Sequence, residues 1–195
     1  LDRFLDAVYA ASSLPVSVKT RLGIMDPAEF PALLEIFNRY PIKELTIHPR
    51  VRKQFYDGSV FMEMFRYALA KSKNPLCYNG DILTLAQADA LVQKYPQVQS
   101  VMIGRGLIAN PALARQLRGG APLQASELRQ FHDAVLDNYC ACIIGEVNIL
   151  HKMKELWNYW GCLYPENKKG QKAIYKSRSL ADYRWASQAV LAEDP

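Results

Sequence analysis

The first two-thirds of the chain alternates short apolar runs with stretches of helical periodicity. Val16-Ser17-Val18, following Pro15, predicts a short buried strand that ends near Gly23. Asp26-Pro27 then predicts a helix start, with a capping side chain, a proline at the first position and Glu29 in the first turn. Phe30, Leu33, Leu34 and Phe37 fall on one face of that helix. Glu44 to His48 predicts the next strand and Phe61 to Ala70 a helix. Pro75 to Tyr78 predicts a third strand, closed by Asn79-Gly80-Asp81. Thr84 with Gln87 has the form of a capping box, opening a helix that carries Leu85, Ala88, Leu91 and Val92. Ser100 to Ile103 predicts a fourth strand, closed by Gly104-Arg105-Gly106, with a short helix after Asn110-Pro111.

Four strands separated by single helices imply parallel pairing through right-handed crossovers, an α/β pattern. Four such units are half of a TIM (β/α)8 barrel; a doubly wound sheet is the alternative. The barrel is favoured because polar and glycine residues gather at the C-terminal end of every strand: Lys19 and Arg21, His48 and Arg50, Asn79 to Asp81, Gly104 and Arg105. In a barrel those ends share the face where ligands bind.

Arg118 to Pro122 reads as a linker, and beyond it the pattern is helical only. Ser126 opens a helix with Leu128, Phe131, Val135 and Tyr139 on one face; Gly145 breaks it. A second helix carries Ile149, Met153, Leu156 and Trp160, and Ser179 begins a last one with Leu180, Tyr183, Ala186 and Val190. The expected organisation is the C-terminal half of a barrel over residues 1–120 and a small all-α bundle over residues 121–195. The chain opens at Leu1 in what reads as mid-helix, so an N-terminal truncation is expected. A half barrel has two open strand edges, which predicts self-association or pairing with a further segment.

Composition changes this picture little. Of 195 residues, 50% are hydrophobic, enough for one packed core or one and a small second. The net charge of +5 permits an anionic partner without requiring one. No apolar run is long enough to span a membrane and no secretory signal is visible, so a cytoplasmic protein is expected. Cys77, Cys140, Cys142 and Cys162 form no C-x-x-C pair and no zinc-like set with histidine, so no metal site is expected.

Three segments could carry chemistry. The glycine turns Asn79-Gly80-Asp81 and Gly104-Arg105-Gly106 suit a phosphate at the last two strand ends, since glycine lets backbone amides approach an anion. Tight turns with solvated charges are the alternative. Lys19, at a strand end, can stand beneath a bound ring system and stabilise negative charge on it; otherwise its head lies in solvent. His48 could donate to a ligand oxygen, and Arg50, Arg52 and Lys53, with Tyr56 just beyond, form the sharpest basic cluster, suited to a phosphodiester backbone or else a solvated loop.

The runs VSVKTRLG, TIHPR, YNGDI and MIGRGLIANP, in this order and spacing, resemble the tRNA-dihydrouridine synthase family over roughly residues 1–120. The resemblance implies FMN at the barrel mouth, NADPH as reductant and reduction of a uridine C5–C6 double bond in tRNA. It implies that Lys19 and His48 contact the flavin ring region, that Asn79, Gly80 and Asp81 with Gly104 and Arg105 hold the ribityl phosphate, and that Arg50, Arg52 and Lys53 lie near the RNA. Pro49 stands where the family more often has glycine. The family's acid cysteine belongs to the first half of the barrel, and no cysteine here matches its motif; the chain is therefore expected to be inactive alone.

The helical tail adds a second basic region. Between residues 147 and 184, eight basic side chains, Lys152 and Lys154 among them, face three acidic ones, an excess of +5, whereas 121–195 as a whole balances nine against nine. Aromatic residues are interleaved, which suits RNA, although Trp157 and Trp160 continue the Met153 face and read as core. Two other readings remain at this point: an FMN-dependent barrel oxidoreductase acting on a small molecule, and a non-catalytic RNA-binding module.

Overall fold

The computed structural model describes residues 1–193. Element order is α1 (Asp2–Ala11), β1 (Val18–Arg21), α2 (Phe30–Phe37), β2 (Leu45–His48), α3 (Met62–Lys71), β3 (Leu76–Asn79), α4 (Leu85–Lys94), β4 (Ser100–Met102), α5 (Arg105–Ala109), α6 (Leu113–Gln116), α7 (Ala125–Cys142), α8 (Glu146–Trp160), α9 (Lys168–Lys176) and α10 (Leu180–Val190). The chain divides into two compact units, Leu1–Ile82 with Ala86–Ile103, and Gly104–Pro195 with Leu83–Leu85.

The first unit is built on a parallel four-stranded sheet in the order β1-β2-β3-β4. The α/β pattern and parallel pairing expected from the sequence are both present. Registers place Lys19 beside Thr46 and Arg21 beside His48, Thr46 beside Cys77, and Asn79 beside Met102. Because side chains alternate along a strand, one face carries Leu45, Ile47 and Tyr78. The other carries Lys19, Arg21, Thr46, His48, Cys77 and Asn79. The first face is apolar and deeply buried; Phe65 of α3 meets Tyr78 edge-on at 5.0 Å between ring centres. Phe30, Leu34 and Phe37 of α2 are buried as their spacing predicts.

Local signals behave as their chemistry requires. The Asp26 carboxylate accepts from the Ala28 amide (2.8 Å), and the Glu29 carboxylate accepts from the amides of Ile24 (3.1 Å), Met25 (2.8 Å) and Asp26 (2.8 Å). These bonds hold Glu29 below the usual carboxylate range and open a 3₁₀ turn over Pro27–Glu29 that runs into α2. Two expectations change. β1 is half-buried, with Lys19 exposed, rather than buried, because it is a sheet edge with a neighbour on one side only. In α4, Leu85 and Val92 are exposed and Ala88 alone is buried.

The second unit is helical around Leu128, Leu136, Ile149, Leu150, Met153, Trp157, Trp160 and Tyr183. Trp157 and Trp160 are core, as their spacing predicts, whereas Trp185 is exposed. α7 turns Leu128, His132 and Leu136 inward and leaves Phe131 exposed. The segment read as a linker is pinned: Arg115 donates to Ala121 O (3.0 Å) and Pro122 O (3.1 Å) and pairs with Glu127 at 2.6 Å. α9 was not visible in the apolar pattern; it contains four lysines and its one buried residue is Ile174.

Candidate functional site

The polar face of the sheet and the loops at its C-terminal edge form the candidate site of the first unit. His48 ends β2 and is 4% exposed. Burial, followed by the positive charges of Arg21, Lys19 and Arg50, pushes its pKa down to about 4, against the smaller opposing effect of Asp81. The ring is therefore neutral at pH 7. Its Nε2 lies 3.3 Å from Arg50 Nη1, a group that can only donate, so Nε2 accepts and the proton sits on Nδ1. His48 thus offers a neutral N–H donor at the strand end.

Arg50, expected at the surface, is 2% exposed. Its Nη1 donates to Asp81 Oδ1 (2.8 Å), and its Nη2 to Asp81 Oδ2 and the Gly58 carbonyl (2.5 Å each). The bidentate pair with Asp81 raises its pKa and ties the loop after β2 to the turn after β3. The physical reason is stoichiometric: a fork of donors buried next to a carboxylate and a carbonyl is satisfied inside. Within that side chain, Nε alone is buried with no partner.

Lys19 is exposed on β1, yet partial loss of water and then the nearby Arg21 guanidinium lower its pKa, with Cys77 opposing. Arg21 donates to Val51 O (2.9 Å) and lies 5.6 Å over the Tyr56 ring, which is 6.1 Å from that of His48. Arg52 and Lys53 are exposed on a 3₁₀ turn, Arg52–Gln54. The Asn79 amide donates to Met102 O at 2.7 Å. Gly80 is buried, and a Cβ there would stand 2.9 Å from the Tyr78 hydroxyl, so packing of Tyr78 accounts for the glycine. Asp81 adopts φ +37°, a region that side chains rarely enter.

The second unit contains the remaining expected residues. Gly104 caps α5 with open space around it, and Arg105 is the first residue of that helix. Lys152 pairs with Glu155 at 3.3 Å, both exposed. Lys154 is half-buried and donates to Ser177 O at 2.6 Å, closing α8 against the turn before α10. Sequence reasoning missed His132. Its Nδ1 contacts Asp133 (2.9 Å), its Nε2 contacts the Tyr183 hydroxyl (2.7 Å), and the same hydroxyl accepts from Trp157 Nε1 (2.8 Å). Set between Phe131 and Asp133, the histidine carries no apolar signal of its own by which to find it.

A model of the dihydrouridine synthase family matches residues 1–163. The chain belongs to the dihydrouridine synthase family. Among its relatives is a protein of Rickettsia bellii named "Probable tRNA-dihydrouridine synthase", 33% identical over 146 residues, covering 72% of this chain and 44% of that protein. A tRNA-dihydrouridine(16) synthase of Neisseria meningitidis is 24% identical over 172 residues, covering 87% of this chain and 51% of that protein. A tRNA-dihydrouridine synthase B of Pasteurella multocida is 27% identical over 153 residues, covering 78% and 45%. The chain thus spans about half the length of these dihydrouridine synthases. Among the described residues, no helix is long and apolar enough to cross a membrane and no group of His, Cys, Asp and Glu could hold a metal ion.

Proposed function

We propose that this chain is the C-terminal portion of an FMN-dependent tRNA-dihydrouridine synthase that reduces the uracil C5–C6 bond with NADPH as reductant and acts in the cytoplasm. One observation supports this reading above the others: the two faces of the sheet differ in kind. A doubly wound parallel sheet buries both faces under apolar helices. Here one face is apolar, while the other carries Lys19, Arg21, Thr46 and His48, which suits the inward, ligand-binding mouth of a barrel.

Bound FMN would supply the electron pair for the reduction. The residues present fit it. Lys19 offers an ammonium whose lowered pKa reflects lost hydration, suited to negative charge on the ring. His48 offers a neutral Nδ1–H, suited to a ring oxygen. Within the first unit, the turn amides around Asn79, Gly80 and Asp81 are assigned to the phosphate. We assign no proton donor within this chain, so turnover requires one from elsewhere. Arg52, Lys53 and Lys152 are assigned to tRNA; Arg50 and Lys154 support them from within by holding loops. β1 and β4 are sheet edges, so self-association belongs to the same reading.

The test is flavin binding by this chain and by the full-length protein, followed through absorbance and fluorescence quenching. The full-length protein should bind FMN, and Lys19→Ala should weaken binding at least about tenfold, the weight of one charge-assisted hydrogen bond. A full-length protein that takes up no FMN sinks the reading and leaves an RNA-binding module as the better account. Flavin binding without tRNA affinity favours a small-molecule oxidoreductase.

A further inference from the structure

Phe55 stands against both of its local interests. Its backbone adopts φ +50° and ψ −99°, a conformation costly for any residue with a side chain. Its ring is 69% exposed and so recovers little by burial. Glycine would relieve the backbone and a polar residue would suit the solvent. The loop around it is nonetheless well defined. Arg52 N donates to Gly23 O (2.9 Å), Lys53 N to Ile24 O (3.0 Å), Asp57 N to Gln54 O (2.8 Å) and Phe61 N to Pro49 O (2.7 Å).

Beside Phe55, Tyr56 is also exposed, and its ring stands near the Arg21 guanidinium and the His48 imidazole. Arg52 and Lys53, three and two residues before Phe55, are exposed and form no ion pair among the described residues. Adjacent aromatic planes beside unpaired cations complement a strand that offers flat bases on an anionic backbone.

We propose that Phe55 is a base-stacking residue. Its ring receives a nucleobase of the RNA that flanks the reacting uridine, while Arg52 and Lys53 hold the adjoining phosphates. The flanking base is implied because Phe55 sits on the exposed loop, outside the buried strand end where His48 lies. The proposal rests on the RNA reading above and extends it to a residue that the four family-like runs do not include.

The test measures binding of the chain to unmodified tRNA and to oligouridylate across a salt series, with thermal unfolding in parallel. For Phe55→Gly, affinity should fall about tenfold, the weight of one stacked base, with unchanged salt dependence and a higher melting temperature. Phe55→Leu, which keeps an apolar side chain without a π face, should lose a similar factor. The double variant Arg52→Gln, Lys53→Gln should instead lower the salt slope by roughly 1.4. Unchanged affinity in Phe55→Gly overturns the proposal. So does a lower melting temperature, which would make Phe55 a structural residue. If the unsubstituted chain binds neither RNA, the RNA reading fails with it; if that chain binds and only the Phe55 variants are silent, stacking alone fails.

Discussion

At the scale of single residues, the pair Arg50–Asp81 governs the candidate site. A guanidinium this buried is tolerable because its charge and four of its donors are answered. Asp81→Asn keeps the shape and removes the charge, leaving a buried cation. We expect a loss of about 2–4 kcal/mol, below the upper range for fully buried pairs because Asp81 is partly solvated. Urea unfolding measures it; a loss under about 1 kcal/mol would mean that solvent already screens the pair. The sequence marked Arg50 as a surface cation because residue type predicts exposure, and its partner lies 31 positions away. His48 gives a second prediction, on pH. Its folded pKa, about 4, lies below the ordinary 6.5. As pH falls through that window, the unfolded chain binds a proton that the folded chain refuses. Stability present above pH 6.5 is therefore lost toward pH 4, by up to about 3 kcal/mol. His48→Asn should flatten part of this slope in pH-dependent unfolding. It should not remove the slope, because burial lowers the pKa of His132 as well.

Elements were legible where one face met the core and obscure where burial rested on few residues. β2 and α2 follow their apolar spacing because all four residues of β2 are buried and α2 buries three in period. α9 escaped because one buried residue, Ile174, cannot make a period. The inward face of α7 was misjudged because its central residue is a histidine. That histidine joins α7, α8 and α10 through one hydroxyl. Nδ1–H points at the Asp133 carboxylate, so Nε2 accepts the Tyr183 proton, and the Tyr183 oxygen accepts the Trp157 indole N–H. Tyr183→Phe preserves shape and orphans two buried polar groups. We expect about 2–4 kcal/mol of destabilisation in denaturant unfolding, since each unsatisfied group costs about 1–3 kcal/mol. A near-neutral result would show that water enters the bundle to replace the hydroxyl. The polar face of the sheet was legible as residues but not as a face: which strand-end groups stand together depends on register, and only pairing of Lys19 with Thr46 and of Arg21 with His48 fixes it.

Across the whole molecule, charge is the property that single residues do not predict. The net +5 is modest, yet Lys168, Lys169, Lys172 and Lys176 are exposed on one helix and pair with no carboxylate among the described residues. Lys168, Lys172 and Lys176 follow one another four residues apart, about 6 Å of helix rise each. Like charges at that spacing repel, and two lysines in the first turn oppose the helix dipole. The helix holds because the Asn167 side chain caps it, accepting from the Gly170 amide at 2.7 Å, and because Ile174 is buried in the core. A helix that retains destabilising cations is expected to meet an anion. Replacing the four lysines with glutamine should therefore leave thermal stability unchanged or raise it. It should also weaken tRNA binding and lower the slope of log affinity against log salt by up to about 3.6, at roughly 0.7–0.9 for each phosphate no longer neutralised. The combination discriminates: a lower melting temperature would mean that the lysines support the fold. An unchanged slope would move the electrostatic contacts off this helix and onto Arg52 and Lys53, whose own double variant then accounts for whatever salt dependence the chain shows.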